Sequence, residues 1–405
     1  MKAIVIGSGY AGALAAYRLR QRFSADVTVL EHAAKPGGML RTYHTESGLP
    51  YEYGPRVLSV FRGVPESLDF LAGLADLRER TIYQGTRLRP EYPVVPFPVD
   101  RESLLKLPCA GDIRADWARN EGVVPDETNL RTYLESSVGP TLTELAFAPF
   151  NIKFWGKQID DMPAEWGKLR RLERVAESGE YRLPSVAPHY YPEGGFNPII
   201  DKLLDGAEVR YGVTVRDITT DNGRPTVHAE ADGRAESIDT ELVISTAPID
   251  KVMGLRYGEL EWKGYRIETE TVVAPSLGRA PDGVPFSWLY TPWLETPVCR
   301  TTDFGVIHHG PHNDRPSVVV REIADDRVKM YPVHWETEKF YRYLTDAAAV
   351  RGVIPLGRLG LYKYVTTDST YAMVERLTDN LAELAEATPD RRLEIFRDIR
   401  GDWSN

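Results

Sequence analysis

The sequence predicts an α/β fold: a discontinuous Rossmann-like nucleotide-binding domain, a mainly helical domain and an antiparallel β-sheet domain. Three observations predict it. The chain opens on a short apolar run followed at once by spaced glycines. Helix-like spacing of apolar residues dominates from about residue 100 to about 185. Strand-rich text then continues to about residue 335, after which the chain closes on a strand, a glycine turn and a helix.

The opening stretch organises the rest. Ala3-Ile4-Val5-Ile6 carries no charge, and Gly7-Ser8-Gly9-Tyr10-Ala11-Gly12 follows directly. In a strand–turn–helix of this kind the first glycine lets the chain turn and the second lets backbone approach a pyrophosphate. The third lets the helix pack close on the strand. Ala11, Leu14, Ala15 and Leu19 share one face of that helix, whose N-terminus would hold the phosphate. A second apolar run, Val27-Thr28-Val29-Leu30, delivers Glu31, where a carboxylate accepts hydrogen bonds from a ribose. Lys35-Pro36-Gly37-Gly38-Met39-Leu40 then places a glycine pair resembling the one that many two-dinucleotide flavoproteins carry beside the flavin, so FAD is the favoured dinucleotide.

Farther along, Tyr51 to Ser59 reads as a turn feeding a strand, and a helical pattern begins near residue 64 with Leu68, Phe70, Leu71 and Leu74 on one face. Pro93, Pro96 and Pro98 break any long helix around an extended segment. The helical region contains an aromatic stretch, Phe147 to Gly156, and then an arginine-rich one, Lys168 to Arg182. Pro192-Glu193-Gly194-Gly195-Phe196 is a turn opening a helix, and the alternation of Val209 to Val215 is a strand signal. Val353 to Arg358 is a strand running into a glycine turn, with a helix from Thr370 to Leu384. We therefore expect the FAD-binding Rossmann-like domain to combine residues 1–63, 190–254 and 340–405. Residues 100–189 form the helical domain, and 64–99 with 255–339 the sheet domain.

Composition narrows the class. At 405 residues the chain can bury a sizeable core, and 42% hydrophobic with 27% charged residues is ordinary for a globular protein. A net charge of −10 provides no global positive field for nucleic acid. No apolar run is long enough to span a membrane. Met1-Lys2 enters the first strand directly, leaving no room for a signal peptide, which predicts a cytoplasmic protein. Cys109 and Cys299 form no metal-spaced set, and His308, His309 and His312 read as part of a polar loop, so no metal is expected.

In order along the chain, these motifs resemble the UDP-galactopyranose mutase family, from Met1 to about Leu384. Gly7 to Gly12 with Glu31, Gly37 and Gly38 resembles its FAD cradle. Trp155-Gly156 resembles its substrate-pocket helix, Pro192 to Phe196 its glycine-pair turn, and Thr246 to Asp250 the end of a strand near the flavin. Gly357-Arg358-Leu359-Gly360-Leu361-Tyr362-Lys363-Tyr364 is the most specific match. The resemblance implies that Arg358 contacts the flavin, and that Tyr364, Arg300 and Tyr331 bind a substrate diphosphate. It also implies a flavin contact set of Gly7, Gly9, Ala11, Gly12, Glu31, His32, Gly37, Gly38, Met39, Arg56, Val57, Thr214, Arg358, Val365 and Thr366. The implied substrate set is Phe147, Phe150, Asn151, Trp155, Arg174, Tyr181, Arg300, Tyr331 and Tyr364, with Arg56, Arg300 and Tyr364 in catalysis. Independently of family, a sugar nucleotide's diphosphate needs fixed cations and hydroxyl donors to replace water.

The implied activity is interconversion of pyranose and furanose forms of a nucleotide sugar, with reduced FAD attacking the anomeric carbon through N5 and no net electron transfer. The sequence also departs from the family. Its flavin-side "G-A-H-I-F-H" segment is Gly54-Pro55-Arg56-Val57-Leu58-Ser59 here, so both histidines are gone and Arg56 puts a permanent cation there. The family's acidic residue after the phosphate tyrosine is Thr366, and Asn151 replaces a threonine. Phe147 and Phe150 can stack on any base, so the base need not be uracil, and a guanine nucleotide with a deoxyhexose or hexose is a serious alternative to UDP-galactose. The partner is thus a nucleotide sugar, and the resemblance allows a homodimer. An FAD-dependent amine-oxidase-like oxidoreductase and a non-catalytic binding homologue are the competing readings.

Overall fold

A computed structural model describes residues 1–401, without 55, 171–174, 176, 178, 183–187, 222–223, 312, 328 and 334–335. A five-stranded parallel sheet lies at its centre. Its strands, in spatial order, are Val353–Pro355, Leu242–Ser245, Lys2–Ile6, Asp26–Glu31 and Glu208–Tyr211, so the start, the middle and the end of the chain build one sheet. The inner strands are short, charge-poor runs, as strands covered on both faces must be, whereas the edge strand Glu208–Tyr211 carries Glu208 and Arg210 and is only partly buried. Val5 and Ile244 at its centre are fully buried. Helix Tyr10–Phe23 packs on this sheet beside helix Thr367–Asp379, and Arg18 ties the two together through Glu375 at 2.6 Å.

A second sheet of seven strands forms the other wall of the molecule. Its order is Tyr331–Pro332, Trp262–Val272, Ser317–Asp325, Val298–Asp303, Trp288–Tyr290, Gln84–Arg87 and Val94–Pro96. Register aligns Arg300 with Glu322 on one side and with Tyr290 on the other, and Tyr290 with Thr86. Since alternate residues share a face, this pairing gathers residues distant in sequence onto one surface. The helical region spans Ala110–Asn120 to Ala164–Arg170, with a capping box at Asn129 and Thr132 and a π-helical turn at Thr143–Phe147.

Several boundaries differ from the sequence reading. The strand expected over Val209 to Val215 is two strands in different sheets, because Gly212 turns the chain at φ +68°. The helix expected over Thr370 to Leu384 begins at Thr367 and breaks at Asn380 into Leu381–Glu386. After the short helix Glu66–Ala72 the chain runs as strands, two of which extend the seven-stranded sheet.

Lys153 joins the helical region to that sheet. Its Nζ donates to the carbonyls of Thr291 and Val298 at 2.8 and 3.0 Å, and burial pulls its pKa down to about 8. The folded chain therefore releases this proton before the unfolded chain does, and stability rises with pH between the folded and unfolded values. The thermal midpoint of the wild type, measured relative to Lys153→Met, is expected to climb between about pH 8 and about pH 10. A flat difference across that window would refute it.

Candidate functional site

A cavity of about 950 Å³ runs from the C-terminal ends of the parallel strands to the face of the seven-stranded sheet. At its first end the glycines make room. Gly7 sits at φ +93°, and a Cβ there would meet Thr246 Oγ1 at 2.3 Å. A Cβ on Gly12 would lie 2.0 Å from the Gly7 carbonyl, so this glycine sets how closely helix and strand approach. Gly9 and Gly37 form a backbone bridge, and a Cβ on Gly38, at φ +54°, would press on Gly9 Cα at 3.1 Å. Backbone thus lines this end, with the helix N-terminus at Tyr10 turned to it, the arrangement that accepts a pyrophosphate. The Glu31 carboxylate accepts from the Ser8 and Ala33 backbone amides at 2.7 Å each and faces the same space. His32 and Thr214, linked side chain to side chain at 2.9 Å, line it farther out.

The middle of the cavity is bordered by Met39, Arg56, Val57, Arg358, Val365 and Thr366. Arg358 donates to the Val365 carbonyl at 2.6 Å and lies over the rings of Tyr331 and Tyr364, 5.1 and 4.8 Å from their centroids. Those two tyrosines stack on each other at 5.8 Å. Burial, then the neighbouring Tyr265 and Tyr364, push the Tyr331 phenol well up, so it stays protonated and able to donate.

At the far end two arginines share one carboxylate. Glu322 takes Arg300 through Nε at 3.1 Å and Nη2 at 2.8 Å, and it also pairs with Arg56. Arg56 additionally donates to Thr302 Oγ1 at 3.0 Å and to the Gly54 carbonyl at 3.1 Å. Burial, then repulsion from Arg300, lower the Arg56 pKa to about 10, which still leaves a cation at neutral pH. The cluster carries two guanidinium charges against the single carboxylate, so its excess is positive. Trp288, Tyr290, Gln84 and Phe97 complete this end, with Phe97 stacked on Tyr290 at 4.2 Å.

Of the residues singled out in the sequence, the cavity brings together Gly7, Gly9, Ala11, Glu31, His32, Gly38, Met39, Arg56, Val57, Thr214, Arg300, Tyr331, Arg358, Tyr364, Val365 and Thr366. Gly12 and Gly37 lie just behind its wall, shaping it through the contacts above. Phe147, Phe150, Asn151, Trp155 and Tyr181 do not line it. Trp155 is packed edge-on against Trp166 and Phe154, each at 4.9 Å, in the core of the helical region. Asn151 spends its amide on the Phe147 carbonyl and on Trp166 Nε1, and Tyr181 donates to the Val94 carbonyl. Phe150 comes nearest, edge to face with Tyr290 at 6.1 Å. Arg174 lies outside the described residues.

Glu322, Tyr290, Trp288 and Gln84 were missed by the sequence reading. For Glu322 a signal exists: a carboxylate in Val318-Val319-Val320-Arg321-Glu322-Ile323 on the opposite face from Arg321 must be buried, and a buried carboxylate needs a cation.

Comparison with known proteins bears directly on this cavity. Residues 5–74 match the NAD(P)-binding Rossmann-like domain, and residues 146–364, more than half of the chain, match UDP-galactopyranose mutase. The chain belongs to the UDP-galactopyranose mutase family. UDP-galactopyranose mutase of Mycoplasma pneumoniae is 22% identical over 403 residues, covering 91% of this chain and 93% of that protein. Reduced UDP-galactopyranose mutase superposes with a TM-score of 0.72 at 18% identity, over 97% of this chain and 98% of its own. Phytoene desaturase of Neurospora crassa is 25% identical over 294 residues, covering 61% of this chain and 48% of that protein. Membership of the UDP-galactopyranose mutase family makes this chain an isomerase with a flavin cofactor, and the glycine cradle fits that cofactor because Gly7, Gly9 and Gly38 present bare backbone to the cavity at a helix N-terminus. Among the described residues no helix is long and apolar enough to cross a membrane.

Proposed function

We propose that this protein interconverts the pyranose and furanose forms of a nucleotide sugar, of the UDP-galactose type or a variant such as a GDP-hexose. The observation that carries the reading is the sharing of one cavity by the Gly7–Gly9–Gly38 cradle and by Arg300, Tyr331, Arg358 and Tyr364. When bound, reduced FAD supplies a nucleophile to the anomeric carbon, and no net electrons move. Gly7, Gly9, Gly38 and the helix N-terminus at Tyr10 would hold its pyrophosphate, and Arg358 and Val365, in the middle of the same cavity, would hold the rest of it. Arg300, with the hydroxyls of Tyr331 and Tyr364, anchors the substrate diphosphate in place of water. The excess cation at Arg56 favours the anionic form of the reduced cofactor.

An oxidoreductase reading shares the nucleotide half, as the phytoene desaturase similarity illustrates, but gives the arginine–tyrosine end no task. The deciding experiment incubates dithionite-reduced protein with a panel of UDP and GDP sugars. A product of unchanged mass and shifted retention is expected with at least one of them. Flavin-loaded protein that converts none overturns the mutase reading in favour of an oxidoreductase.

A further inference from the structure

We propose that Phe97 is the platform on which the base of the sugar nucleotide stacks. The inference rests on the mutase reading above and adds to it the place of the base. The helical region does not supply that place: Phe147, Phe150, Asn151 and Trp155 lie outside the cavity lining, and Trp155 is packed against Trp166 and Phe154. Phe97 lines the cavity and is 37% exposed. A single exposed phenylalanine is ordinary on a protein surface, and what distinguishes this one is its surroundings.

Tyr290 stacks on the Phe97 ring, with centroids 4.2 Å apart and planes within 26°, and the exposed remainder of the ring borders the cavity. The backbone beneath it is fixed as well. The Phe97 carbonyl accepts from Gln84 Nε2 at 2.8 Å, and Gln84 Oε1 accepts from Trp288 Nε1 at 2.9 Å. A ring held in this way offers an aromatic face at little ordering cost. Tyr290 also joins it to the anion-binding end: the Arg300 guanidinium lies over the Tyr290 ring, 5.5 Å from its centroid, and Nη1 donates to the Tyr290 hydroxyl at 3.4 Å. Arginine, tyrosine and phenylalanine are thus consecutive neighbours along the cavity wall. A nucleoside diphosphate carries phosphate, ribose and base in the same order, so a diphosphate anchored at Arg300 brings its base to Phe97. Gln84 is spent on Phe97 and Trp288 and reads no base edge, and a bare aromatic face accepts a pyrimidine or a purine.

The test is a calorimetric titration of the flavin-loaded protein with UDP, GDP and inorganic pyrophosphate. Phe97→Leu keeps an apolar side chain but removes the ring, and it is expected to weaken the tighter-binding of the two nucleotides about tenfold. Its affinity for pyrophosphate, which has no base to stack, should match the wild type. Phe97→Tyr keeps the ring and should bind the nucleotide as the wild type does. Unchanged nucleotide affinity in Phe97→Leu overturns the platform and leaves the mutase reading standing, and so does an equal loss of affinity for pyrophosphate, which would make Phe97 a support of the Arg300 end. A wild type that binds neither nucleotide overturns both.

Discussion

Arg300→Ala is expected to weaken binding of the nucleoside diphosphate by about 30- to 100-fold while leaving the flavin in place. The side chain is largely buried and held rigidly by Glu322, so a contact made there with a phosphate would be preorganised and shielded from water. A charge-assisted hydrogen bond of that kind is worth about 2–3 kcal/mol. Removal of a buried partner often unfolds a protein, because the other charge is stranded. Here Glu322 keeps Arg56, and the thermal midpoint should therefore move little. UDP and GDP titrations, alongside a melting curve, separate the outcomes. If affinity for whichever nucleotide the wild type binds survives the change, the diphosphate does not sit at Arg300.

Glu322→Gln is expected to do the opposite, destabilising the fold by about 3–5 kcal/mol. The amide is nearly isosteric with the carboxylate, but it leaves Arg56 and Arg300 facing each other with no counter-charge. Arg56 already feels burial and its neighbour as a lowered pKa, and loss of the shared carboxylate removes the counter-charge that both arginines pair with. Adding Arg56→Gln to this variant takes away one of the two repelling cations, so the double variant should recover part of the lost stability. Chemical unfolding of the two single variants and the double one measures this. A single Glu322→Gln variant as stable as the wild type would show that the two guanidinium groups do not depend on that carboxylate.

The legibility of this site in the sequence was uneven, for physical reasons that differ from residue to residue. Gly7, Gly9, Gly12 and Glu31 were readable because their spacing is dictated by local backbone geometry: a strand, a turn and a helix in immediate succession. Arg358 and Tyr364 were readable because the family motif holds them six residues apart. Trp155 and Asn151 were read toward the substrate, yet the structure packs them against Trp166. An aromatic-rich amphipathic helix has the same pattern whether its apolar face meets a ligand or a core. Glu322 escaped notice although its burial followed from strand alternation, since its partners lie on another strand and in a distant loop.

What the sequence determined by itself was the nucleotide half: apolar runs buried on both faces, glycines where a Cβ is forbidden, and a carboxylate at the end of the second strand. These are short-range consequences of sterics and burial, legible wherever neighbours in sequence are neighbours in space. Only the tertiary structure decided the other half, where β-sheet register sets Tyr290, Arg300 and Glu322 side by side and brings Arg56 from the far end of the chain onto the same carboxylate. Register is a pairing between distant segments, fixed by which faces can be buried together, and nothing local to any one of those residues records it.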